Sequence, residues 1–326
     1  MAKKITLSLL AFASIAVLSL CLGAARLTPA QLWQALLAGP NHTAGFIFWY
    51  LRLPRTCACF LAGSALAVAG AVIQTVLHNS LASPSIIGVN AGAGLAVTLC
   101  CALGALSGWA IAGSAFFGAL SAVLLILLAA EKAGASRTTL ILGGVAVNAC
   151  LNALSEALTV LVPESGMLAG DFRVGGFSAV SWPRLLPAAG LIAAALLLVF
   201  SMQNLLDVLS LGDETAQALG LPVRFIRTLL LILSAALAGA AVSFGGLLGF
   251  VGLIVPHAVR KCGWNESRFL LPMSAVWGGT FVTLCDITAR MAFAPYELPV
   301  GILLSLLGGP VFLWLLWNRK GGKNHA

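Results

Sequence analysis

The sequence predicts an all-α protein threaded many times through a membrane, and three observations predict it. Hydrophobic residues make up 60% of the 326-residue chain and charged residues only 9%, with a mean hydropathy of +1.03. A soluble fold of this size needs far more charge to clothe its surface. The apolar residues fall in runs of about 20, the length of a helix that crosses the hydrocarbon core, and only the termini and short connections are polar.

Ten runs are expected, at roughly 5–25, 54–77, 87–106, 109–130, 138–162, 184–201, 225–244, 246–259, 269–291 and 299–317. The first follows Lys3 and Lys4 and runs 21 residues from Ile5 to Ala25. That exceeds the roughly 7–15 of a secretory signal core, so a retained helix is expected. The second starts beside Pro54, in LRLPRT. The fifth carries Asn148, Asn152, Ser155 and Glu156, and ionisable groups inside membranes face protein or a water-filled cavity. The eighth is short and rich in glycine, so it is the weakest of the ten. The ninth holds Asp286 one turn before Arg290, which predicts a local ion pair. Glycines at 88, 92, 94, 245, 246, 249 and 252 are read as points of close helix approach.

Basic residues orient the chain. With the N-terminus in the cytoplasm, Lys3, Lys4, Lys132, Arg137, Arg224, Arg227, Arg260, Lys261, Arg268, Arg319, Lys320 and Lys323 fall inside, twelve of the 18. Arg26, Arg52, Arg55, Arg173, Arg184 and Arg290 fall outside, and none is lysine. This obeys the positive-inside rule and puts both termini in the cytoplasm. Trp33, Trp49, Trp109 and Trp182 then gather at the outer interface and Trp264, Trp314 and Trp317 at the inner one.

A faint echo links the halves. Arg55-Thr56, with Pro84 29 residues after the arginine, recurs as Arg227-Thr228 with Pro256 at the same distance, and SALAVAGAV (64–72) resembles AALAGAAVS (235–243). The copies open helices two and seven. A separation of five helices turns one copy over, so the echo points to an inverted repeat.

One segment is unlike the rest. In LGDETAQALGLPVRFIR (211–227), Asp213 and Glu214 sit where a positive helix end favours carboxylates, Gly220 can close the helix and Pro222 forbids its continuation. About two turns of soluble-looking helix are expected there, on the cytoplasmic side.

Other chemistry is missing from the sequence. There is no G-x-x-x-x-G-K-[ST] phosphate loop, no HExxH and no G-x-S-x-G, and the four histidines are dispersed. The eight cysteines lie in mostly apolar runs without the spacing of a disulfide or zinc framework, and are read as small packing residues.

Four stretches together resemble the FecCD family of permease subunits in binding-protein-dependent ABC importers, the iron-siderophore, haem and vitamin B12 type. They are LRLPRT (51–56) running into GSALAVAGAVIQTVLHNSLASPSIIGVNAGAG (63–94), LGDETAQALGLP (211–222), GGLLGFVGLIVPHAVRKCG (245–263) and DITARMAFAPYELPVGILLSLLGGPVFLWLL (286–316). The likeness covers nearly the whole chain in order. It implies a type II importer fold as a single permease domain over 1–326, with a coupling segment at 202–222. In that segment Gly212, Asp213, Glu214, Ala216, Leu219 and Gly220 would meet a separate ATPase subunit, which explains the missing phosphate loop. It implies that Arg52, Arg55 and Arg290 meet acidic residues of an extracytoplasmic binding protein, a task suited to the bidentate guanidinium; snorkelling to lipid phosphates is the plain alternative. It also makes Asn148, Asn152, Ser155 and Glu156 candidates for the pathway lining.

The chain is therefore expected to bind no cofactor or metal and to catalyse nothing itself, with ATP and magnesium on the partner. Expected partners are a second permease copy, two ATPases, the binding protein, a metal-chelate substrate and membrane lipid, with no nucleic acid, in the bacterial inner membrane. Ferric siderophore is the expected substrate because it is the family's most common use, with cobalamin or haem as alternatives. An ion-coupled secondary transporter is the reading from another class, separated by dependence on ATP hydrolysis in another chain. A membrane enzyme is disfavoured by the lack of a clustered catalytic set.

Overall fold

The computed structural model describes residues 2–23, 29–132, 137–292, 294 and 296–320. Of the residues used to orient the chain, Arg26 and Lys323 lie outside that set. Among the described residues there is no strand. Ten principal helices follow the ten apolar runs: α1 (Ala2–Cys21), α2 (Leu53–Val76), α3 (Val89–Ala102), α4 (Gly108–Lys132), α5 (Arg137–Leu161), α6 (Trp182–Ser201), α7 (Val223–Gly245), α8 (Val251–Lys261), α9 (Ser267–Met291) and α10 (Val300–Lys320). Among the described residues seven helices are long and apolar enough to cross a membrane, the second of them extending back to Thr43 through a wider π-type stretch at Ile47–Arg52. The weakest run proves the shortest helix. α8 has 11 residues, and at about 1.5 Å each it reaches only about half the ~30 Å hydrocarbon core.

Helix α2 is the axis of the bundle. Its apolar window is 83% buried, whereas that of α5 is 17% buried. Alanine and glycine over 58–73 leave almost no side chain between α2 and its neighbours, so backbones touch. A Cβ on Gly70 would fall 1.9 Å from the Gly252 carbonyl oxygen of α8, and one on Gly63 would fall 2.2 Å from that of Gly278 in α9. Without lipid-excluding hydrophobic force inside a bilayer, such close approach is how helices associate.

The packing repeats with a shift of five helices. α9 lies along α2 as α4 lies along α7; α8 packs on α9 as α3 packs on α4; α8 touches α2 as α3 touches α7; α5 and α10 stand beside α3 and α8. This is the neighbour pattern an inverted repeat produces. The prolines do not share it: Pro84 lies in the link between α2 and α3, and Pro256 lies inside α8.

Side-chain contacts sort the bundle into two ends. At one, Lys4 Nζ donates to the Cys262 carbonyl (3.1 Å), Lys261 lies 3.9 Å over the Trp314 ring, and Arg260 reaches Thr75 Oγ1 (3.0 Å). At the other, Trp182 Nε1 donates to the Trp49 carbonyl (2.8 Å) near Arg52, Arg55 and Arg290. Lys4, Arg260, Lys261 and Trp314, expected inside, thus gather at one end, and Trp49, Trp182, Arg52, Arg55 and Arg290, expected outside, at the other.

Candidate functional site

The polar segment after α6 folds as two short helices, Gln203–Ser210 and Asp213–Ala218. Gly212 (φ +110°) and Gly220 (φ +81°) flank the second, in conformations that side chains resist, so the helix has the two turns expected and no more. Leu206, Leu209 and Ala216 are buried and fasten the pair to the bundle. Asp207 Oδ1 accepts the Ser267 N–H (2.9 Å), tying the first helix to the start of α9. Glu214, Leu211 and Leu219 face outward, the leucines 61% and 65% exposed.

Asp213 faces the other way. Arg227 Nη2 of α7 donates to its Oδ1 (2.6 Å) and Oδ2 (2.5 Å), and Arg137 Nη2 of α5 donates to Oδ1 (2.5 Å). Partial burial raises the Asp213 pKa, but the hydrogen bonds and charges of Arg227 and then Arg137 act more strongly together and hold the carboxylate below its usual range. An open cavity of about 410 Å³ lies beside it, lined by Arg137 and residues 211–215. The six residues predicted for this segment therefore divide: Glu214, Leu219 and Gly220 are presented outward, Asp213 and Ala216 are turned to the bundle, and Gly212 shapes the turn.

The three outer arginines are drawn together at the opposite end. Arg55 grips Asp286 with Nη2 (2.9 Å to Oδ1) and Nε (3.2 Å to each oxygen), and its Nη1 meets Glu297 Oε2 at 2.6 Å. Arg290 Nε stands 3.0 Å from Asp286 Oδ2, the local pair expected, and its Nη2 donates to Ser19 Oγ (3.1 Å). Arg52 donates to the Leu20 carbonyl, and Arg290 Nη1 to that of Leu22 (3.3 Å). Both cap the end of α1, where orphan carbonyls favour cations. Arg52 and Arg290 are 5% and 6% exposed; Arg55 reaches the rim through Glu297.

On α5, Asn148 Nδ2 donates to the carbonyls of Ser85 (2.9 Å) and Ile86 (3.0 Å), ahead of α3. Ser155 Oγ donates to Thr98 Oγ1 (3.2 Å) and accepts from Arg173 Nη2 (2.6 Å). Asn152 and Glu156 are exposed on the surface of the single chain. Sequence reasoning did not assign Arg137 and Arg173 to these sites, because their partners lie on other elements, and within the expected coupling segment it did not single out Asp207, whose partner is on α9, or the exposed Leu211. Among the described residues no cluster of His, Cys, Asp and Glu could hold a metal ion.

The sequence profile of the FecCD transport family matches residues 9–318. The vitamin B12 import system permease protein BtuC of Citrobacter koseri is 37% identical over 308 residues, covering 93% of this chain and 91% of that protein. The same-named protein of Salmonella newport is 38% identical over 304 residues, covering 92% and 90%. A solved structure described as an inward-facing conformation of a metal-chelate type ABC transporter superposes with a TM-score of 0.86 at 27% identity, over 98% of this chain and all of that one. PsaBC from Streptococcus pneumoniae, at 23% identity and a TM-score of 0.57 over 78% and 88%, shares the fold.

Proposed function

The chain belongs to the FecCD transport family, and from that premise we propose that it is the membrane permease of an ATP-driven importer for a metal chelate of the cobalamin class. The observation that carries the substrate is the identity of 37–38%, spread along nine-tenths of the chain, to permeases named for vitamin B12 import. Ferric siderophore is the second reading, and the solved relative described as of metal-chelate type is compatible with either.

ATP and magnesium belong to two separate ATPase subunits, since the chain carries no phosphate loop. The outward Glu214, Leu211 and Leu219 of the segment between α6 and α7 form the docking face: exposed leucines rimmed by polar residues are the pattern of a surface that a partner covers. The permease acts as a pair of copies in the bacterial inner membrane, with both termini and this segment cytoplasmic. An extracytoplasmic binding protein docks at the opposite end. Arg55 is the arginine of the three best placed to meet its carboxylates, by exchanging Glu297, while Arg52 and Arg290 hold the end of α1 beneath it. Asn148, Asn152, Ser155 and Glu156 border the pathway on α5.

The test is uptake of radiolabelled cobalamin and ferric siderophore, side by side, in cells with and without the chain. Loss of cobalamin uptake alone is expected on deletion. Loss of siderophore uptake alone moves the substrate and keeps the mechanism, and loss of neither rejects both substrates.

A further inference from the structure

Three elements that the chain separates meet at one carboxylate. We infer that Asp213 is a strut that carries displacement of the helix Asp213–Ala218 into α5 through Arg137, so that Asp213 and Arg137 are positioning residues for transport rather than part of the ATPase contact. The inference rests on the proposed docking role of that helix.

Both carboxylate oxygens are engaged by the bundle, Oδ1 shared by Arg137 and Arg227 and Oδ2 held by Arg227, although the side chain is 37% exposed. The docking surface is left to its neighbours Leu211, Glu214 and Leu219. Its two arginines differ in what stands behind them. Arg227 is 8% exposed at the start of α7, whose apolar window is 67% buried, whereas Arg137 opens α5, whose window is 17% buried. Within the chain α7 is therefore the more firmly packed of the two, and α5 is the helix that the inference has follow the shared carboxylate.

The sequence of α5 turns that pull into a lever. Arg137, Gly144, Asn148 and Ser155 recur at intervals of 7, 4 and 7 residues, which at 100° per residue puts them on one stripe of about 27 Å. Beyond Arg137, each of the three meets α3 or the link that leads into it. A Cβ on Gly144 would fall 2.4 Å from the Ile86 carbonyl oxygen, Asn148 bonds the Ser85 and Ile86 carbonyls, and Ser155 bonds Thr98 of α3. A push at Arg137 therefore reaches the polar residues proposed to border the pathway without passing through flexible chain. Packed helices move as rigid bodies in this way when a switch changes state.

The experiment uses the complete permease copurified with its ATPase in lipid nanodiscs. Hydrogen–deuterium exchange is compared between the nucleotide-free and ATP–vanadate states. In the unmodified complex, nucleotide is expected to change exchange over both 213–218 and 137–161. In Arg137→Gln the change over 213–218 should persist, with ATPase still copurified and hydrolysing ATP, while the change over 137–161 disappears. Transport per ATP of whichever radiolabelled chelate the unmodified chain accumulates, cobalamin or ferric siderophore, should fall about tenfold, within the range of a lost coupling between two sites. Arg137→Lys, which keeps the cation, should restore both. If Arg137→Gln does not assemble, Asp213→Asn gives the same reading. An α5 response and transport unaltered in the variant overturn the strut. Failure of the unmodified chain to hold an ATPase overturns the docking reading instead.

Discussion

The two Arg-Thr pairs that mark the halves of this chain do opposite work. Arg55, at the start of α2, holds Asp286, a carboxylate 1% exposed in the middle of the α9 packing. Arg227, at the start of α7, holds Asp213, a carboxylate 37% exposed on a six-residue helix outside the bundle. Each guanidinium is itself mostly buried. What differs is the exposure of the acid, and it decides whether the pair is a lock or a linkage. A buried carboxylate has no water to return to, so its bond to arginine is made once. A half-exposed one is solvated either way, so its position follows the element that carries it. An inverted repeat can thus place one motif at both faces of a membrane and let the surroundings assign it a static or a moving role.

Breaking the lock should have the largest effect. Asp286→Ala leaves Arg55 and Arg290 without their shared carboxylate, and removing one partner of a buried pair costs about 3–5 kcal/mol. We expect a large drop in the thermal midpoint of the purified chain, with loosening of the α1–α2–α9 contact seen as faster exchange over residues 2–21. A midpoint within a degree or two of the unmodified chain would show that the pair is not a lock. Glu297→Gln tests its outer edge. This acid is 36% exposed, so its loss should cost less than about 1 kcal/mol, and under the proposed docking role it should speed association of the binding protein by vacating one side of Arg55.

The sequence made the lock only half visible. Asp286 and Arg290 are one turn apart, and their bond is present; Arg55 lies 231 residues from Asp286, and no periodicity signals a partner at that distance. The ten helices were legible because each rests on its own 20-residue run of composition, and the two basic ends because charge asymmetry is additive along the chain. The short helix 213–218 was legible from its acidic start and its glycine stop. The direction in which Asp213 points was not, since a carboxylate at a helix start is favourable whether or not arginines from α5 and α7 reach it. The short helices Pro163–Leu168 and Gly170–Val174 also escaped notice; they carry Arg173 to Ser155, and segments of five or six residues have no period to read.

The smallest effect sharpens the comparison most. Asp213 titrates below its ordinary value of 3.8 because Arg227 and Arg137 outweigh the opposing push of partial burial. A depressed carboxylate contributes stability above its unfolded pKa and loses it as pH falls through the folded one. The contribution of this strut should therefore be flat from pH 8 to pH 5 and vanish only below the ordinary carboxylate range. Asp213→Asn and the unmodified chain should show a constant, small difference in thermal midpoint over that plateau, shrinking in high salt because the pair is open to solvent. The groups around it fit this sign: Arg137 from α5 and Arg227 from α7 face it, with Glu214 beside it turned outward. A difference near zero across the whole plateau, insensitive to salt, would mean that the two arginines do not hold the carboxylate. Asp213 would then be a free surface charge available to a partner, and the contrast between lock and linkage would fail at the end where motion has to begin.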